Sequence, residues 1–153
     1  MVILAAGFGL AGAATAATTG LLSATRAVIA ILDDDLFVGE AEGHLNGAGT
    51  VAIHKQKNPA LTCSGRFTTS SAARGGTGQM RCSDGTTATF LIERLSAFRG
   101  HGVGKFSRGP MSFVYGLTAE EAGPYLKLPE GKKLAHNGTE LELVDLQEGR
   151  RSN

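Results

Sequence analysis

Two cysteines, Cys63 and Cys82, are the residues whose chemistry depends most directly on how this chain is paired. In an antiparallel hairpin, directly opposed positions have residue numbers of constant sum. A turn centred between Ala72 and Ala73 therefore opposes Cys63 to Cys82, Gly65 to Met80 and Phe67 to Gly78, with both thiols on the inward face. Opposed Cα atoms at a non-hydrogen-bonded pair sit about 4.5 Å apart, within the reach of a disulfide. Closing a loop of this length stabilises a fold by roughly 3 kcal/mol on the chain-entropy account. The competing reading is a pair of buried free thiols acting as small hydrophobes, as in reducing compartments.

Other constellations carry less. Gly100-His101-Gly102-Val103-Gly104-Lys105 has the glycines and lysine of a phosphate-cradling loop, but Arg99 holds the leading glycine position and Phe106 follows the lysine where Ser or Thr is required. The segment reads better as a strand whose inward face is Gly100, Gly102 and Gly104, matching the small face of Gly39, Ala41 and Gly43. Two such faces either let another element approach closely or line a cavity. Arg108 to Tyr115 lacks the spacing of an RNA-recognition strand, and Phe113 and Tyr115 read as core. His44, His54, His101 and His136 are scattered over outward positions with no spacing that suits a metal, and Asp33-Asp34-Asp35 lacks the glycine and glutamate of a calcium loop. No nucleophile elbow and no placeable carboxylate pair is present, so the sequence nominates no catalytic residue, metal or cofactor.

Composition narrows the partners. The chain of 153 residues has 15 Lys plus Arg against 14 Asp plus Glu, a formal net charge of +1, which gives no pull toward nucleic acid or anionic lipid. Gly is abundant at 22 residues and Trp is absent, a balance that favours tight turns and close backbone contacts over aromatic binding platforms. The outward basic residues Arg66, Arg81, Arg99 and Lys105, with His101, form the candidate binding surface.

These residues need a scaffold of short strands. Asn46-Gly47, Asp84-Gly85 and Asn137-Gly138 each suit a turn with positive φ. Between them, apolar residues alternate with period two: Phe37 to Leu45, Val51 and Ile53, Leu61 to Phe67, Gly78 to Cys82, Ala88 to Ile92, Phe98 to Phe106, and Met111 to Tyr115. Thr118-Ala119-Glu120-Glu121 is a capping box that starts a short helix near 118–126, which Pro124 keeps brief. A last hairpin spans Lys133 to Asp145. The fold class expected is mainly β, an antiparallel sandwich or small barrel of about seven to nine strands.

Residues 2–25 carry no charge, and the division expected is an apolar leader over 1–32, an acidic linker at 33–35, a β domain over 36–146 and a loose tail at 147–153. The leader has the apolar stretch and small residues of a secretory signal without its basic start, and the length of a membrane span. A third reading makes Thr19 to Leu32 a buried helix or first strand, with Arg26 exposed. Leu10-Ala11-Gly12-Ala13 has the form of a lipobox with alanine at the lipid-accepting position.

Over Leu36 to Leu134 the chain resembles a group of small exported or lipoprotein-type proteins of Gram-negative bacteria. The likeness rests on Leu36-Phe37-Val38-Gly39-Glu40-Ala41, Cys63-Ser64-Gly65-Arg66-Phe67, Cys82-Ser83-Asp84-Gly85, Arg108-Gly109-Pro110-Met111-Ser112-Phe113, Gly116-Leu117-Thr118-Ala119-Glu120-Glu121-Ala122 and Tyr125-Leu126-Lys127-Leu128-Pro129. It implies a β-rich domain with an envelope address, periplasmic or anchored facing the periplasm, and brings no activity with it. The function expected is a non-catalytic envelope module whose partner is another envelope protein or a small ligand. It would touch the membrane only through an uncleaved leader. The alternative is a small-ligand carrier with a cavity between the glycine-faced strands, and an enzyme ranks third.

Overall fold

A computed structural model describes residues 23–146 apart from 71 and 73. Eight antiparallel strands close into a barrel in chain order: β1 (Ser23–Leu32), β2 (Asp35–His44), β3 (Ala48–Lys55), β4 (Asn58–Ser70), β5 (Gly75–Cys82), β6 (Thr87–Ser96), β7 (Arg99–Phe106) and β8 (Gly109–Tyr115). The ring closes where β8 pairs with β1, from Val28 opposite Tyr115 to Leu32 opposite Met111. After α1 (Ala119–Ala122) and a 3-10 turn (Gly123–Tyr125), a separate hairpin of β9 (Lys132–Asn137) and β10 (Glu140–Asp145) ends the described chain. The mainly β class with one short helix is thus the observed one, and of the two architectures expected the barrel is realised.

The turns follow from their residues. Gly47, Gly85 and Gly138 take φ of 87°, 86° and 68°, a region that costs glycine nothing. The Asn46 side chain accepts from the Ala48 amide, and that of Asp84 from the Thr86 amide and hydroxyl, which holds the Asp84 carboxyl below its ordinary range. Thr118 caps α1 by accepting from the Glu121 amide at 3.2 Å. The Glu121 carboxylate meets the Thr118 hydroxyl and pairs with Arg99, rather than turning back to the Thr118 amide as a complete capping box would.

One expected boundary is corrected. The division into a leader over 1–32 and an acidic linker at 33–35 does not hold over its last residues, where the third reading, a first strand, does. Ser23–Leu32 is a full barrel strand, and Asp33 and Asp34, at φ of 46° and 68°, are the two-residue turn into β2. The physical reason is that β1 is covered on both faces. Val28, Ala30 and Leu32 point into the barrel, while Ile29 and Ile31 join Leu36, Val114, Leu117, Ala122 and Leu126 in a second core outside it. The segment from Leu117 through β9–β10 lies over this outer face, contributing Tyr125, Leu128, Leu134, Leu141 and Leu143. A strand buried on both sides loses its alternation and reads as a continuous apolar run. The remainder of the expected leader and the expected tail at 147–153 lie outside the described residues.

Candidate functional site

Every hairpin of the barrel turns at one of two ends, and the ends differ. Where β1 turns into β2 and β5 into β6, the interior is filled by Leu32, Phe37, Cys63 and Cys82, all buried. Cys63 and Cys82 face each other in the register worked out from the turn at Ala72–Ala73, with Gly65 opposite Met80 and Phe67 opposite Gly78, and form a disulfide. Lys55, near this end, is paired with Asp35 at 3.0 Å.

The opposite end is open. A cavity of about 410 Å³ enters the barrel between the β2–β3 and β6–β7 turns, within the range of about 300–1,000 Å³ common for small-molecule sites. Its walls are apolar, with Val28, Val51, Met80, Ile92 and Phe113 among them. Phe90 and Phe113 meet edge to face, ring centroids 5.2 Å apart. Small residues on β1 and β2, namely Ala24, Ala30, Ala41 and Gly43, leave the space that larger side chains take up at the closed end.

Polar groups gather at the mouth. Ala88, Phe90 and Ile92 point inward along β6, and Arg94 continues the same face. Arg94 is opposite Gly100, which is opposite Tyr115, which is opposite Val28. With no side chain at Gly100, the Tyr115 phenol lies down on β7, its oxygen where a Cβ would stand. Burial pushes the Tyr115 hydroxyl above its ordinary value, and the nearby Arg94 charge offsets part of that rise. Arg26, on the inward side of β1, donates to the Thr25 carbonyl at 2.7 Å and lays its guanidinium over the Phe98 ring, 4.6 Å from the centroid. Among the described residues neither Arg26 nor Arg94 is paired with a carboxylate, and no Asp or Glu lines the cavity.

The residues nominated from sequence fall elsewhere. Arg66, Gln79, Thr89 and Lys105 follow one register row across the outside of β4 to β7, with Arg81 on the same face. Exposed Leu91 (61%) and Val103 (57%) accompany them. Arg99 and His101 sit apart, where β7 meets the helical connection: Arg99 pairs with Glu121, and His101 stacks on Tyr125 with centroids 4.3 Å apart. Of the nominated cavity residues, Ala41 and Gly43 line the cavity. Gly39, Gly100, Gly102 and Gly104 are instead packing slots, where a Cβ would strike the Ala52 and Ile53 backbone, the Tyr115 phenol, the Phe113 ring, and the Thr89 and Phe90 backbone respectively. Sequence reasoning missed Arg94 altogether, and of Arg26 it said only, under the first-strand reading, that it is exposed; the structure puts it half-buried at the mouth. The signal was present in β6, where an arginine extends the apolar face of Ala88, Phe90 and Ile92 by one more step of two.

No family model and no curated protein matches the chain. Among solved structures it is similar to a de novo designed fluorescence-activating β-barrel, at 14% identity and a TM-score of 0.50, over 68% of this chain and all of the design. That likeness is one of fold.

Proposed function

We propose that this protein is a non-catalytic binding protein that holds a small, largely apolar molecule inside its barrel, in a compartment outside the cytoplasm. The observation that carries the reading is the open-ended apolar cavity. An eight-stranded barrel is just wide enough to be filled by its own side chains or to hold one small ligand, and here the small residues of β1 and β2 take it to the second outcome. Outward positions such as Glu40, Arg66, Gln79, Arg81 and Lys105 are polar while the interior is apolar, the reverse of a barrel whose outer face meets lipid. The buried disulfide supports an oxidising location. The resemblance to small exported Gram-negative proteins agrees with that address, and on this reading the function is uptake or carriage rather than turnover.

The test is titration of the full chain with Nile red, a neutral apolar fluorophore. Saturable enhancement at one dye per chain is expected, together with at least a tenfold loss in Ala41→Phe, whose ring would project into the cavity. Equal binding by the Ala41→Phe protein, folded by circular dichroism, would overturn the interior site.

A further inference from the structure

The two ends of the barrel differ in whether the chain's own carboxylates match their inward-facing, half-buried cations. At the closed end the cation Lys55 has its anion within the chain, Asp35. At the mouth, Arg26 and Arg94 stand on the inward faces of β1 and β6 with no carboxylate partner among the described residues. Tyr115 lies between their strands, on β8 opposite Gly100 and Val28, and its phenol O–H can donate. Two guanidinium forks and a phenol O–H supply donors in excess at the rim of an otherwise apolar chamber. The other titratable group on the cavity wall, His44, adds no negative charge. Glu42 and Glu93, on strands that reach this mouth, alternate to the outside, and Glu93 lies 3.8 Å from His101. The electrostatics of the rim are therefore positive while the walls are neutral.

From this arrangement we infer that the ligand is a single-chain amphiphile with a carboxylate head, its apolar body inside the barrel and its carboxylate at the mouth on Arg26, Arg94 and the Tyr115 hydroxyl. The inference rests on the interior-site reading above and adds the chemical class of the ligand. A carboxylate fits because it accepts two parallel bonds from one guanidinium and still has lone pairs for the phenol. Phe98 stacks on Arg26 and so presents that guanidinium at the rim instead of letting it swing into solvent.

Dodecanoate, dodecanol and dodecylammonium have the same tail and differ in the head. Each is titrated below its critical micelle concentration, by displacement of Nile red, against the native chain and the double variant Arg26→Gln, Arg94→Gln. Charge-assisted hydrogen bonds give an expected preference for dodecanoate over dodecanol of about tenfold to a hundredfold. Dodecylammonium should be the weakest. The double variant should bind dodecanoate no better than it binds dodecanol. If dodecanoate and dodecanol bind the native chain equally, the carboxylate head is refuted while the apolar site stands. If Nile red binds and none of the three displaces it, the amphiphile is refuted. If Nile red itself fails to bind, the interior site falls and this inference falls with it.

Discussion

Removing the disulfide should lower stability by an amount the loop fixes. Cys63 and Cys82 are separated by 19 residues, and the chain-entropy relation converts a loop of that length to about 3 kcal/mol at room temperature. Cys63→Ala with Cys82→Ala also deletes two buried sulfur atoms beside Ile53 and Met80, adding on the order of 1 kcal/mol for the space left behind. Unfolding entropy is about 2.1 cal/mol/K per residue, so roughly 120 ordered residues give ~0.25 kcal/mol/K and a fall in Tm of ~12–16 °C. The assay is thermal unfolding followed by circular dichroism for the oxidised chain, the same chain reduced and alkylated, and the double alanine variant. Alkylation of unfolded protein before and after reduction reports whether the bond is present at the start. A fall of less than ~4 °C in the variant would refute the reasoning, because the bond would then constrain little of the unfolded chain. Free thiols in unreduced protein from the native host would refute it sooner, and would remove the support for an oxidising compartment. Since both cysteines lie at the closed end, Nile red affinity below the Tm should survive their removal.

Two further outcomes follow from the interior. Gly102→Ala should destabilise the barrel by about 1–3 kcal/mol in a denaturant titration, because its Cβ would strike the Leu91 carbonyl and the Phe113 ring. Gly43→Ala, whose Cβ would find nothing nearer than Phe67 at 4.0 Å, should be neutral or stabilising; equal losses at both would refute the distinction between packing slot and cavity wall. Tyr115 has a raised pKa from burial, so its folded value lies above its unfolded one and the stability it contributes is complete below pH 10.0, then lost as pH rises through the folded value. Tyr115→Phe should accordingly remove a component of tyrosinate absorbance that develops only at more alkaline pH than 10.0, and its persistence in the variant would refute the assignment.

Much of the barrel is legible in the sequence because period-two alternation and turn chemistry are local. The β4–β5 register follows from one turn position, and it places Cys63 opposite Cys82 without reference to the rest of the fold. The first strand is legible only as one of three readings, for a non-local reason: Ile29 and Ile31 face outward into a cluster with Leu134, Leu141 and Leu143, more than a hundred residues later, and nothing near β1 announces that cover. The same holds for the Asp33-Asp34 turn, which local rules permit but which becomes a hairpin only once both flanking runs are strands. At the mouth, alternation alone gives Arg94 its inward side. What makes that an accessible position and not a buried charge is that β6 ends there, beside the β2–β3 turn and the close of β8, a fact of barrel topology.

The division of labour between the two faces of β1 explains why the open end can stay open. A barrel whose interior is not filled forfeits dispersion contacts on the lining of the void, and the lost contacts here fall on β1 and β2, where Ala24, Ala30, Ala41 and Gly43 face the cavity. These two strands, together with β8 through Val114, are braced from outside: Ile29, Ile31, Leu36 and Val38 cluster with the helical connection and the β9–β10 hairpin. Ser112 on β8 adds to this by accepting from the Lys127 amide at 2.8 Å, tying the cover to the strand that closes the ring. Apolar burial outside the ring thus compensates for small side chains inside it, on the same strands. The C-terminal cover is on this view part of what makes the barrel hollow, although none of its residues lines the cavity.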